Sequence, residues 1–334
     1  MPGVIQFLRG QFSTPPMPQV DLTGRTILIT GANSGLGLDA AKLLAQLNCG
    51  TVVLACRSIA KGESAREIVQ SVSSSKGQKP TVVVVELDLT SFSSVLAFSE
   101  RCKELPRLDG AILNAGVYLS EFTLAEGYEA TITVNVISTF LLATLLVPTL
   151  RRSAKNYDIT PTIAVVGSAV HFWANDKDLT GPAEGRILKS LSDPKTADMK
   201  GRYFLSKLPA MLLVKYLASV LEKSAQEDPN GKPLVVINYV APGLCATNLF
   251  RTHTETSTKV LVKVMGRPSE YGARTLVHAG TAGKETHGQY LSECEVKKYS
   301  AFVKSAEGDR TAKTLWNELS AVYEDVNPGC TKEL

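Results

Sequence analysis

Histidine and tryptophan are scarce in this 334-residue chain, at four and two copies, and neither forms a pattern. The six cysteines are Cys49, Cys56, Cys102, Cys245, Cys294 and Cys330. They include no CxxC pair and no histidine at metal-ligand spacing, so the sequence offers no metal site and no disulfide framework. No Asn-x-Ser/Thr sequon occurs, and the expected state of the thiols is buried and reduced. Charge of one sign is lacking too. The 36 Lys+Arg and 32 Asp+Glu are interleaved and leave a net +4, too little to attract nucleic acid. Long uninterrupted apolar runs are missing. The most apolar stretch, Val134 to Leu150, contains Asn135, Ser138, threonines and Pro148, which suits a buried helix better than a membrane span. At the N-terminus the apolar residues Val4, Ile5, Phe7 and Leu8 are interrupted by Arg9, and Pro15, Pro16 and Pro18 oppose a helix. Residues 1–20 therefore read as an N-terminal arm, and the chain as cytoplasmic.

The remainder, 44 % hydrophobic and 20 % charged, has ordinary globular composition. Short apolar runs alternate with helical patterns. Strands are expected at Thr26–Thr30, Thr51–Ala55, Thr81–Val85, Ala111–Leu113, Thr162–Val166 and Leu234–Ile237, with helices near 61–75, 91–104, 126–150 and 202–224. Continuous apolar strands separated by helices predict a parallel sheet covered on both faces. The fold class is α/β, a single doubly wound Rossmann domain over 21–334 with about seven strands, mostly parallel. Insertions near 172–200 and 245–266 follow strand C-terminal ends, where such sheets bind ligands. They are the expected substrate loops. In the first, Phe172, Trp173, Ile187, Leu188 and Leu191 are expected to present an apolar face to a substrate.

The first strand runs into Gly31-Ala32-Asn33-Ser34-Gly35-Leu36-Gly37 and then a helical pattern. Gly31 permits a tight turn, Gly35 lets backbone approach a pyrophosphate, and Gly37 lets the helix pack on the strand. The helix N-terminus offers free N–H groups and a positive dipole end to the anion. At the end of the second strand, where an acid would hold a ribose 2′-hydroxyl, stands Arg57, with Lys61 close behind. A guanidinium at that point suits a 2′-phosphate, so the expected cofactor is NADP(H).

Thr30-Gly-x-x-x-Gly-x-Gly37 resembles the cofactor fingerprint of the short-chain dehydrogenase/reductase family. The resemblance continues through Asp88-Leu89, through Asn114-Ala115-Gly116, and through Asn135. It extends to Ser168 after the fifth strand, to Tyr203-x-x-x-Lys207, and to Pro242-Gly243-x-x-x-Thr247. It implies that Asn135, Ser168, Tyr203 and Lys207 are catalytic. The other matched positions, together with Tyr203 and Lys207, would contact the cofactor. Tyr203 would be the general acid, and the Lys207 charge would lower its pKa. Ser168 would hold the carbonyl oxygen, and Asn135 would anchor a water leading from Lys207 to solvent.

Ala55-Cys-Arg-Ser-x-x-Lys-Gly-Glu-Ser-Ala65 and His171 look like the retinol-dehydrogenase-like branch. The ends of the chain look like filamentous-fungal members, many of them tailoring enzymes of secondary metabolism. Ala241 stands where that branch often has His, and the gap from Ser168 to Tyr203 is long. The implied function is NADPH-dependent reduction of a ketone or aldehyde on a hydrophobic small molecule. Alternatives are an NADP-dependent alcohol dehydrogenase and a non-redox or regulatory NADP-binding protein. Many relatives pair through the helices near 126–150 and 202–224, so a monomer or a homodimer is expected.

Overall fold

The structure, a computed structural model, describes all residues except 1, 73, 75, 228–231, 248 and 250–263, with side chains from Phe7 onward. Most of the 245–266 insertion lies outside the described residues. The main strands are β1 (Thr26–Thr30), β2 (Thr51–Cys56), β3 (Thr81–Glu86) and β4 (Gly110–Leu113). They continue with β5 (Thr162–Val166), β6 (Val236–Ala241), β7 (Tyr290–Ser292) and β8 (Glu295–Lys297). Every residue of β1, β4 and β6 is buried, as two-sided coverage requires.

The sheet order is β8-β7-β6-β5-β4-β1-β2-β3. All neighbours are parallel except the β7–β8 pair at one edge. Added to the six strands placed by residue, those two make eight, against the seven or so expected. Glu293 and Cys294 between them both have positive φ, 52° and 60°, the backbone of a tight hairpin turn. The chain reverses direction across the sheet at β1, which pairs with β2 on one side and β4 on the other. The C-terminal ends of β1 and β4 thus frame the crevice in which open α/β sheets bind ligands.

The sixth strand lies further along the chain than expected. Pro233 delays its start, and it runs through Asn238 and Tyr239 to Ala241. These two residues look polar in sequence, but both are fully buried and hydrogen-bonded.

Helices α2 (Gly35–Gln46), α3 (Ile59–Ser71) and α7 (Ser269–Thr281) cover one face. Helices α4 (Phe92–Lys103), α5 (Thr139–Tyr157) and α6 (Met199–Glu227) cover the other. By length and composition α5 (with the turns before it) and α6 could cross a membrane, yet the apolar window of the first is wholly buried in this core and that of the second 72 % buried. A long C-terminal helix, α8 (Ala306–Val326), lies across α6, with Trp316 against Tyr216 and Lys215 paired to Asp309 at 2.6 Å.

Two segments depart from the sequence reading. Residues Pro2–Gln11 form a helix, α1, because the prolines lie beyond it and limit only its end. In the 172–200 insertion, Ile187, Leu188 and Leu191 are buried in the core. They sit on a short helix (Ile187–Leu191) whose first N–H groups, those of Ile187 and Leu188, both donate to the Glu318 carboxylate of α8 at 2.8 Å. Their apolar surface is used against the C-terminal helix instead of facing a ligand.

Candidate active site

The glycine turn after β1 has the geometry its spacing predicts. Gly31 and Gly35 adopt positive φ, 65° and 55°. A Cβ on Gly37 would lie 2.5 Å from the Gly31 carbonyl oxygen, so only glycine lets α2 start this close to β1. Ser34 precedes α2 in an extended conformation and makes no side-chain cap. The first N–H groups of the helix therefore remain open to an anion. Thr30 ties the turn to β4: its carbonyl accepts from Asn114 Nδ2, and its hydroxyl from Ala115 N, both at 2.9 Å.

A single cleft of about 1170 Å³ opens over this turn. Every residue expected at the site lines it except Gly37 and Asn135, which stand directly behind its wall. At one end are Arg57 and Lys61, both exposed, on the turn that Ser58 caps at the start of α3. Asp88 is the one carboxylate along the lining among the described residues, and its Oδ1 already accepts from Thr90 N and Oγ1. Thr247 lies over the turn, 3.5 Å from where a Cβ on Gly35 would be.

At the other end Ser168, Tyr203 and Lys207 meet. Tyr203 and Lys207 are one turn apart on α6, and Lys207 Nζ lies 5.4 Å from the Tyr203 ring centre. The Ser168 side chain stands beside the Tyr203 hydroxyl at this end of the cleft. Burial pushes the Tyr203 phenol well above its ordinary pKa, and the neighbouring Ser168 side chain offsets this only in part. The expected lowering by Lys207 is not what dominates here. Burial also pulls the Lys207 ammonium down to about 8, and its Nζ donates to Val166 O at 3.2 Å. With both groups withdrawn from water, desolvation outweighs their mutual interaction.

Asn135 sits in a π-helical turn, Thr133–Ser138, of the kind that often marks functional sites. Its Oδ1 accepts from Val117 N at 2.9 Å, and its Nδ2 donates to Val117 O and Ser206 Oγ at 2.9 and 3.0 Å. Gly116 lies alongside, where a Cβ would come 3.1 Å from Asn135 Oδ1 and 3.8 Å from Lys207 Nζ. Asn135 thus joins the loop after β4 to the helix that carries Tyr203. His171 is buried against Tyr239 and Tyr290, and burial lowers its pKa to about 4. Its Nδ1 meets Ser168 O at 2.7 Å, so it is a neutral neighbour of the site. Tyr118 and Trp173 line the cleft, whereas Phe172 packs on His171 and Tyr290.

Sequence reasoning missed two contributors. The Tyr239 hydroxyl on β6 accepts from Ser168 N at 2.9 Å and faces the carbonyls of Ser168 and Lys207 at 3.2 and 3.1 Å. Its ring occupies the space that a side chain on residue 167 would need, since a Cβ on Gly167 would fall 1.7 Å from Tyr239 Cζ. A Gly–Ser pair facing a Tyr across two parallel strands was the available signal, but it shows only once β5 and β6 are in register. The second is Arg267. It is buried, donates from Nε to Pro242 O at 3.0 Å, and from Nη1 to Gly10 O at 3.2 Å. Helix α1 brings Phe7 and Leu8 to the cleft, so the N-terminal arm contributes to its wall.

The profile of the short chain dehydrogenase family matches residues 25–171. A short-chain dehydrogenase of Penicillium roqueforti, anuD, is 38 % identical over 98 % of this chain and 85 % of its own. The chain belongs to the short-chain dehydrogenase/reductase family. A second fungal relative, the short chain dehydrogenase/reductase dmxR8 of Cryptosporiopsis sp., is 37 % identical over 97 % of this chain and 98 % of its own. Among solved structures, the Pseudomonas aeruginosa RhlG/NADP active-site complex superposes with a TM-score of 0.57. It is 21 % identical and covers 81 % of this chain and 95 % of its own, a likeness of fold. As a member of this family the chain is an oxidoreductase that uses a nicotinamide cofactor.

Proposed function

We propose that this oxidoreductase uses NADPH to reduce a ketone or aldehyde on a hydrophobic small molecule, as a tailoring step of fungal secondary metabolism. One observation carries the reading. A single cleft joins Tyr203, Ser168 and Lys207 to a glycine turn flanked by Arg57 and Lys61, with no acid at the end of β2. The turn and the open first N–H groups of α2 would hold a pyrophosphate, and Arg57 and Lys61 a 2′-phosphate. Asp88, Leu89 and Asn114–Gly116 would contact the adenine side and the middle of the cofactor. Pro242, Gly243 and Thr247 would contact its nicotinamide side. When bound, the cofactor supplies a hydride.

The chain itself supplies position and a proton. Ser168 Oγ orients the carbonyl oxygen. Tyr203, kept protonated by burial, donates its hydroxyl proton to the alkoxide as it forms. The Lys207 ammonium stabilises the phenolate left behind, and Asn135 with the Gly116–Val117 backbone leads from Lys207 towards solvent. The same residues run the reverse oxidation, and the cationic rim at Arg57 favours reduction because cellular NADPH is mostly reduced.

A monomer in the cytoplasm fits this reading, without nucleic acid as a partner. The α8 helix lies across α6, and Arg151 of α5 binds the C-terminal turn through Glu333 O, so both helices that pair in many relatives are covered. The experiment is to follow loss of NADPH absorbance with a panel of ketones and aldehydes. Consumption that requires Tyr203 supports the proposal. Its absence across the panel, with NADPH bound, would favour a non-redox role.

A further inference from the structure

The substrate end of the cleft has a roof that the catalytic set does not explain. Helix α1 is wired into the loop after β6. Gln11 Nε2 donates to Leu244 O and Met265 O at 2.7 and 2.6 Å, and Leu244 N donates to Gln11 Oε1 at 2.9 Å. Arg267 holds the Gly10 carbonyl from the same side. Gln11 and Arg267 are each only 4 % exposed, so this is a desolvated joint that fixes the helix above the cleft.

From that roof Phe7 meets Trp173 edge to face, with ring centres 5.6 Å apart and planes at 82°. Trp173 remains 44 % exposed while lining the cleft. A large aromatic surface left open inside a concave site is a place for a ligand. On the opposite wall Tyr118 stacks on Tyr203, 4.8 Å between centres at 25°, and lies 6.4 Å from Phe204. Among the described residues the only charged side chain at this end is Lys207; Arg57, Lys61 and Asp88 all lie at the other.

We propose that Phe7 and Trp173 form an aromatic clamp that selects a neutral ketone whose carbonyl is attached to a flat aromatic ring system. A flat ring lies on the open surface of Trp173, which Phe7 braces edge to face, with its carbonyl turned towards Ser168 and Tyr203. Among the described residues, carboxylate, phosphate and thioester-carrier groups find no counter-charge there beyond Lys207. This rests on the reductase reading, whose site it uses, but it is tested by binding alone.

The probes are 2-acetonaphthone and its saturated counterpart, 2-acetyldecalin, titrated calorimetrically into the full chain with NADPH present and absent. A merely greasy pocket prefers the more hydrophobic decalin. The clamp instead binds the naphthyl ketone about tenfold more tightly, since each ring contact is worth roughly two- to tenfold. Phe7→Leu and Trp173→Leu, both outside the core, each weaken the naphthyl ketone about fivefold, the decalyl ketone less than twofold, and NADPH not at all. The two losses are not additive, because the rings act as a pair. Equal binding of the two ketones, equal loss of both in the variants, or no naphthyl binding up to its solubility overturns the clamp. Selective naphthyl binding without NADPH consumption sinks the reductase reading and leaves the clamp standing. NADPH consumption without aromatic selectivity does the reverse.

Discussion

Replacing Tyr239 by Phe removes one oxygen from the fully buried interior and keeps the ring that fills the space beside Gly167. That oxygen is the acceptor for Ser168 N and also faces the carbonyls of Ser168 and Lys207. It thus ties the backbone of Ser168, proposed to orient the carbonyl, to the helix that carries Tyr203. Leaving the Ser168 N–H without its acceptor costs about 1–3 kcal/mol, which lowers Tm by roughly 1–4 °C in a chain of this length. The larger effect is on rate. A displacement of reacting groups on the order of 1 Å costs about 10²-fold, so kcat is expected to fall roughly 10- to 100-fold. Tyr239 does not line the cleft, so KM and the NADPH Kd stay within about twofold. Stopped-flow NADPH oxidation, equilibrium NADPH titration and a thermal melt measure the three quantities. A melt that drops while kcat holds would reduce Tyr239 to core filling and refute the argument. The complementary change, Gly167→Ala, places a Cβ inside the Tyr239 ring and is expected to prevent folding. Adding Tyr239→Ser restores a cooperative melt without restoring kcat.

Tyr203→Phe is expected to bind NADPH normally and lose about 10²–10⁴-fold in turnover, since only the proton donor is gone; near-normal turnover would move the acid elsewhere. NADPH should bind at least about tenfold more tightly than NADH, and Arg57→Asp should reverse that order in calorimetry. The Lys207 ammonium, with its pKa lowered to about 8 by burial, is charged below that pH and neutral above it. Reduction should therefore fall about tenfold per unit as pH rises beyond about 8, and a flat profile to pH 10 would exclude this role. Glu318→Ala removes the acceptor of two N–H groups of the Ile187–Leu191 helix. It should cost about 1–3 kcal/mol in urea unfolding with NADPH affinity unchanged; weakened NADPH binding would mean that the segment reaches the cofactor.

The sequence by itself determined whatever depends on local pattern. Apolar runs of strand length alternating with helical periods specify a parallel sheet covered on both faces, because only burial on both sides tolerates strands such as Thr26–Thr30. Glycines at fixed spacing specify the turn, because Gly31, Gly35 and Gly37 stand where a Cβ is strained or excluded. Tyr203 and Lys207 share a helix face by periodicity alone. Tertiary structure decided what depends on residues distant in the chain. Tyr239 is 71 positions from Ser168 and 32 from Lys207, and only the β5–β6 register brings its hydroxyl to both. The apolar residues of the 172–200 insertion could have faced a ligand or the core, and the arrival of Glu318 on α8 settled that in favour of the core. The N-terminal helix became a roof of the cleft through Gln11 and Arg267, partners more than 230 positions away. The balance of pKa values at Tyr203 and Lys207 was equally out of reach, because desolvation depends on all the chain that surrounds them and spacing reports only that they are neighbours.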